Sequence, residues 1–392
     1  MNSDFWVIDA SCGANEDDLW KEQSVSNEAK SKSSSKLKHS WAGNFVDEFV
    51  NVEINRCNCP ANCEKNHTKL LGLRYFNSSL SRTYVTQNLY GTDSVDFKYV
   101  EGRVSGSLAT DILTASSLKL GNISFVIVND MKFRRFRRIP FDGIMGLALP
   151  VRKRTYTSAS MIDLLWEQLD EPVFSVYLNR HKNWIIHDQI GLITFGARDY
   201  RNCRSEWHYV PVADGSMLWK FNLSLFRIDS YQLVWQDFGW LGSSPNITVD
   251  YSRWMNVNSD AFSIIKTVLN ATYFANQSRL AVNCENGVSH LPDIEFGFNK
   301  MVYKIPSKDY IHAPQSGEND RANQISKDDT YDNIALPEGY CMVGVSNMDL
   351  QEKSFEKIWS IGMTFLYNYC AVFDIRNQRI GFAESVTKNK KT

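Results

Sequence analysis

Apolar positions along this chain fall into short runs that either alternate at period two or stay continuous for only a few residues. Gly, Asn, Asp and Ser separate them. Val95-Asp96-Phe97-Lys98-Tyr99 alternates as a strand buried on one face should. Ser124-Phe125-Val126-Ile127-Val128, Gly191-Leu192-Ile193-Thr194-Phe195 and the run from Leu366 to Phe373 are rich in β-branched and aromatic residues and predict further strands. Helical spacing is scarce. It predicts a helix over 160–169, with Ser158 or Ser160 as N-cap, and a second over 260–269, capped by Ser259 or Asp260. The pattern as a whole predicts a mostly β protein with short helices.

Two stretches interrupt this pattern. Residues 21–40 are Ser, Lys and Glu with almost nothing apolar to bury, and they predict a loop insertion over about 13–45. A polar, charged stretch over about 307–336 predicts a second insertion. The basic run Lys132-Phe133-Arg134-Arg135-Phe136-Arg137-Arg138 reads as an exposed turn between strands.

Length and composition narrow the class. A chain of 392 residues is long enough for two lobes, and 43% hydrophobic with 22% charged residues is ordinary for a globular protein. The net charge of -1 gives no electrostatic case for nucleic acid or an anionic membrane surface. No apolar run approaches the roughly 20 residues of a membrane span. Eight cysteines and seven Asn-x-Ser/Thr sequons, at Asn66, Asn77, Asn122, Asn222, Asn246, Asn270 and Asn276, favour an oxidising compartment: secretion, or a lysosomal or endosomal lumen. The opening Met1-Asn2-Ser3-Asp4-Phe5-Trp6 has neither the basic start nor the apolar core of a signal peptide. Cys57-Asn58-Cys59-Pro60-Ala61-Asn62-Cys63 with His67 fits no common zinc spacing, so disulfides are expected there, with no metal and no cofactor.

Several fragments, in order along the chain, carry a resemblance. Phe141-Asp142-Gly143-Ile144-Met145-Gly146-Leu147 is followed by Glu171-Pro172-Val173-Phe174-Ser175-Val176-Tyr177-Leu178 and by Gly191-Leu192-Ile193-Thr194-Phe195-Gly196. Phe97 to Gly106 precedes them, and Ile358-Trp359-Ser360-Ile361-Gly362-Met363 comes near the end. Together they resemble the pepsin-like aspartic proteases, a family with a bilobal, mostly β fold and a central cleft. The resemblance implies lobes at 1–183 and 184–392, a flap hairpin at about 95–106 with Tyr99 and Gly102 over bound peptide, and Gly146 and Gly362 packed behind the two catalytic loops. Met363 stands where the family usually has Asp. The resemblance also implies a Cys284–Cys341 bridge, with Cys203 and Cys370 as a second pair; Cys12, Cys57, Cys59 and Cys63 leave their connectivity open.

The chemistry of that family needs two carboxyl groups sharing one proton across a water, one as base and the other as acid. Each sits in an Asp-Thr-Gly loop. Here the second loop reads Ile247-Thr248-Val249-Asp250-Tyr251-Ser252-Arg253. Tyr251 replaces the small bracing Thr, Ser252 replaces the Gly, and Arg253 places a permanent cation near Asp250, favouring its ionised form. Asp250 also reads as a strand-end turn residue paired with Arg253. At the other loop, the run from Ser3 to Cys12 matches the stretch that follows the family's first Asp-Thr-Gly, which would put the first catalytic aspartate ahead of the chain. A less favoured register takes Asp9-Ala10-Ser11 as an altered triplet. The sequence thus predicts a monomeric pseudoprotease that binds extended peptide or unfolded protein; the alternative is an active acid endopeptidase whose first catalytic segment lies outside this sequence.

Overall fold

The computed structural model describes residues 39–43, 76, 78–86, 94–99, 102–115, 118–133, 147, 149, 164, 166–179, 191–213, 218–235, 244–249, 254–274, 279–312, 336–350 and 358–386. The chain forms two compact units. The first comprises Met1–Lys220, Ser354–Glu356 and Tyr369–Thr392; the second comprises Phe221–Lys353 and Lys357–Asn368. Strands dominate both, as expected for a pepsin-like fold.

In the first unit a six-stranded sheet runs in the order β1 (His39–Gly43), β7 (Gly191–Phe195), β6 (Val173–Leu178), β22 (Tyr369–Asp374), β23 (Arg379–Glu384) and β8 (His208–Pro211). A second sheet joins β2 (Val85–Thr86), β3 (Ser94–Tyr99) and β5 (Leu118–Phe133) to the long β4 (Gly102–Ala115). Gly106 in β4 has no room for a side chain: a Cβ there would come within 2.2 Å of the Ile127 carbonyl oxygen. The six-stranded sheet carries an aromatic core. Phe174 of β6 stacks on Phe373 of β22 with ring centres 4.6 Å apart, and Trp219 meets both rings edge-on at 5.9 and 5.1 Å.

Three sheets build the second unit. One runs β11 (Tyr231–Val234), β10 (Leu225–Ile228), β16 (Ile294–Phe298), β17 (Met301–Ile305). Another runs β14 (Thr272–Phe274), β15 (Arg279–Asn283), β19 (Tyr340–Val343), β18 (Ile311–His312). The third runs β20 (Val345–Asn347), β13 (Met255–Val257), β21 (Trp359–Ser360), β12 (Asn246–Thr248), β9 (Lys220–Asn222). Phe226, Phe296, Phe298, Trp359 and Phe365 are fully buried among them. Glu295 of β16 is also buried. It holds an ion pair with Arg227 and another with Lys304 at 3.0 Å, which together outweigh the desolvation of its carboxylate and keep its pKa below the ordinary value.

Four local expectations change. The helix Ser259–Val268 is capped by Asn258, whose Oδ1 accepts from the Ala261 N–H at 3.0 Å; Ser259 and Asp260 sit in its first turn. The strand expected from Leu366 begins only at Tyr369, because Gly362–Leu366 is a short helix. A continuous apolar run buried on all sides has no period by which to separate the two. The polar insertion starts later than 307: Ser307–Tyr310 is helical and Ile311–His312 is strand β18, held by the Ser307 hydroxyl donating to the Val288 carbonyl and the buried Tyr310 hydroxyl donating to that of Pro292. Within the first insertion, His39–Gly43 pairs antiparallel with β7 as strand β1. Most of the helix expected over 160–169 lies outside the described residues, as does 134–138 of the basic run.

Candidate active site

Three short strands build the scaffold for the link that contains Asp250. β12 and β21 run parallel, with Ile247 paired to Trp359 and Thr248 to Ser360. β13 lies on the other side of β21 and runs antiparallel to it, Asn256 against Ser360. β12 and β13 therefore flank β21, and the link 250–253 joins strands on either side of it. Apolar burial makes this arrangement rigid. Ile247 and Val249 are fully inaccessible, as are Met255 and Val257 where the chain returns. Underneath, Phe226 and Trp235 meet the Trp359 ring edge-on, each at 5.7 Å.

Because β12 and β21 are parallel, their C-terminal ends lie at the same end of the sheet. A backbone bond ties them there, from the Ile361 N–H to the Thr248 carbonyl at 3.2 Å. Gly362 then turns the chain into its short helix with φ at 56°, a backbone that costs a side-chain-bearing residue more than glycine. Met363 and Thr364, which follow, are buried. The last described residue before the link is Val249 and the first after it is Trp254; Asp250, Tyr251, Ser252 and Arg253 lie outside the described residues.

The exit from the link is clamped by residues that sequence reasoning missed. The Arg279 guanidinium lies over the Trp254 ring at 5.3 Å and donates to the Ser346 hydroxyl at 2.9 Å, while His312 meets the same Trp254 side chain edge-on at 5.0 Å. These residues come from β15, β18 and β20, strands far apart in sequence. The only local signal is a large aromatic directly after Arg253.

In the first unit, β3 and β4 form an antiparallel hairpin whose last pair is Tyr99 with Gly102. The side chain of Tyr99 lies outside the described residues. So do Gly146, Asp9, Cys12, Cys57, Cys59 and Cys63. The residue after Gly146 is fixed firmly: Leu147 is fully buried, and its carbonyl accepts a hydrogen bond from the Trp219 indole N–H at 2.8 Å. Trp219 thus couples this segment to the aromatic core of the six-stranded sheet.

Among the described residues there are two disulfides, one within each unit. Cys203–Cys370 joins the turn before β8 to β22, and Cys284–Cys341 joins the end of β15 to β19. Beside the first lies a charged chain that fixes the same sheet. Arg379 donates to Asp374 at 2.8 Å and stacks over Tyr209 at 4.0 Å; Tyr209 in turn accepts from Arg198, which pairs with Glu171. Burial opposes charge on Asp374, but hydrogen bonds from Asn377 and Arg379 prevail and hold its carboxyl below the usual range. Among the described residues no helix is long and apolar enough to cross a membrane.

Comparison with known proteins agrees with this scaffold. The profile described as eukaryotic aspartyl protease matches residues 2–385. The chain is 27% identical to gastricsin of Homo sapiens over 311 residues, covering 79% of this chain and 70% of that protein. It is 28% identical to aspartic protease 17 of Caenorhabditis elegans over the same length and shares, and 26% identical to gastricsin of Mus musculus over 346 residues, 86% of this chain and 75% of the other. With a match over almost its whole length, and strands β12, β13 and β21 arranged about the Asp250 link, the chain belongs to the eukaryotic aspartyl protease family.

Proposed function

We propose that this chain acts outside the cell or in a lysosomal or endosomal lumen as a peptide-binding member of its family that cleaves peptide bonds feebly or not at all. The observation that carries this reading is the sequence Asp250-Tyr251-Ser252-Arg253, set directly beyond a strand that is otherwise built as the family requires. On this reading Asp250 is kept and the residues that brace its carboxylate are exchanged. A catalytic pair must share one proton, and a guanidinium three residues from Asp250 favours the ionised carboxylate instead. The Tyr ring is far larger than the Thr hydroxyl it replaces, and Ser for Gly removes the freedom for close backbone passage. The hairpin of β3 and β4, ending at Tyr99 and Gly102, supports retention of a peptide-binding element. Two disulfides and seven sequons support the oxidising compartment.

A second reading is an active acid endopeptidase, in which Asp250 works with a carboxylate supplied elsewhere in the full protein. Family membership favours it. One experiment separates the two: the full-length protein is incubated with an unstructured protein substrate across acid pH, beside its Asp250→Asn variant. Hydrolysis that disappears in the variant defeats the pseudoprotease reading. Absence of hydrolysis together with saturable, non-destructive binding of extended peptides supports it, and absence of binding across a diverse peptide library removes the binding role.

A further inference from the structure

Seven sequons are present, but a glycan can persist only where the asparagine amide nitrogen reaches solvent in the folded protein. Three sequon asparagines have described side chains, and they differ. Asn246 is half-buried in β12, an interior strand between β21 and β9, and its sequon threonine, Thr248, is buried. Asn222 and Asn270 are both exposed. The side chains of Asn66, Asn77, Asn122 and Asn276 lie outside the described residues.

The local geometry leaves both exposed amides unused. Asn222 ends β9, an edge strand of its five-stranded sheet, on the face opposite the fully buried Phe221. Asn270 follows the helix Ser259–Val268 at φ 49°, a left-handed conformation that asparagine tolerates well. The backbone alone finishes that helix: the Asn270 N–H donates to the Thr267 carbonyl at 3.1 Å and the Ala271 N–H to that of Lys266 at 2.9 Å. The Asn270 side chain is therefore not spent on capping. Among the described residues neither amide has a side-chain hydrogen-bond partner.

We propose that Asn222 and Asn270 carry N-linked glycans. The reaction joins the asparagine Nδ2 to the anomeric carbon of a lipid-linked oligosaccharyl diphosphate. The N–C bond forms as the C–O bond to the diphosphate breaks; the diphosphate leaves with the electron pair and the amide nitrogen loses one proton. This assignment rests on the lumenal reading above.

The test is peptide mass spectrometry of the protein from its native cells, after amidase removal of N-glycans in heavy-oxygen water, with differential alkylation of cysteines in the same sample. Labelled aspartate at both 222 and 270 is the expected result. Oxidised Cys203, Cys370, Cys284 and Cys341 with an unlabelled residue at either position overturns the site assignment and leaves the lumenal reading standing. Reduced cysteines and no label at any sequon overturn both.

Discussion

The sharpest structural contrast in the first unit is between two inaccessible indole N–H groups, one in the fully buried Trp219 and one in the half-buried Trp207, and it yields a quantitative test. Trp219 donates its N–H to the Leu147 carbonyl, whereas the equally inaccessible Nε1 of Trp207 has no partner among the described residues. Trp219→Phe keeps most of the edge-on packing against Phe174 and Phe373 but leaves the Leu147 carbonyl buried and unpaired, at a cost of about 1–3 kcal/mol. The smaller ring also leaves a void worth roughly 1 kcal/mol. The expected loss is therefore about 2–4 kcal/mol. Trp207→Phe, at a half-buried ring, leaves a smaller void and removes a donor already stripped of water, so the recovered desolvation offsets it and stability should stay within about 1 kcal/mol of wild type. Both residues lie in the first unit, so one transition reports on both. Urea unfolding followed by far-ultraviolet circular dichroism gives the midpoints, with an unchanged slope confirming that only stability moved. Equal midpoint losses in the two variants would refute the reasoning, because ring volume and not the Leu147 hydrogen bond would then set the cost.

Three further outcomes are expected. In the chain-entropy treatment, Cys203–Cys370, closing 167 residues, contributes about 5 kcal/mol and Cys284–Cys341, closing 57, about 4 kcal/mol; paired Cys→Ser variants should lower the urea midpoint of their own unit in that order, and the reverse order refutes the loop-length argument. Asn258→Ala should cost about 1 kcal/mol in thermal unfolding while Asp260→Ala costs only a few tenths, and equal losses would place the cap elsewhere. Asp374 and Glu295 both have folded pKa values held below the ordinary ones, so their contribution is complete above the unfolded carboxylate value and is lost as pH falls below about 4. Asp374→Asn should therefore flatten the acid limb of the stability profile, and an unchanged slope between neutral pH and pH 3 would rule this carboxylate out as a source of acid sensitivity.

How far the molecule could be read from its sequence depends on the range of each interaction. β3 and β7 were legible because alternation or a bounded β-branched run is a local property of five or six residues. The start of β22 was not, since Leu366 and Phe365 are as buried in their helix as Phe373 is in its strand, and burial on every side erases the period. The Asn258 cap was missed by a single residue, in a run where three successive residues can all accept such a bond. The Asp250 link was found by resemblance to a motif, and its altered neighbours were visible at once. What supports it was not: the Arg279–Trp254–His312 stack assembles residues from separate strands, and no window of sequence contains it. The order of the five-stranded sheet was equally hidden, because strand pairing between distant segments leaves no periodic trace.

The insertion of β21 between β12 and β13 also governs when this scaffold can exist. Trp359 and Ser360 are synthesised after nearly all the other strands of the second unit, yet they occupy the middle of its central sheet. Until they arrive, β12 and β13 have no common neighbour, and Ile247, Val249, Met255 and Val257 lack the strand that covers them. Such a long-range closure makes for slow folding and a late nucleus, and it exposes an apolar gap throughout translation of the preceding segment. Ribosome-bound chains that stop short of Trp359 should therefore depend on chaperones far more than chains that extend past Phe365. The position of two residues in a sheet thus becomes a matter of timing: β12 and β13 are among the last strands of the second unit to gain their full set of neighbours.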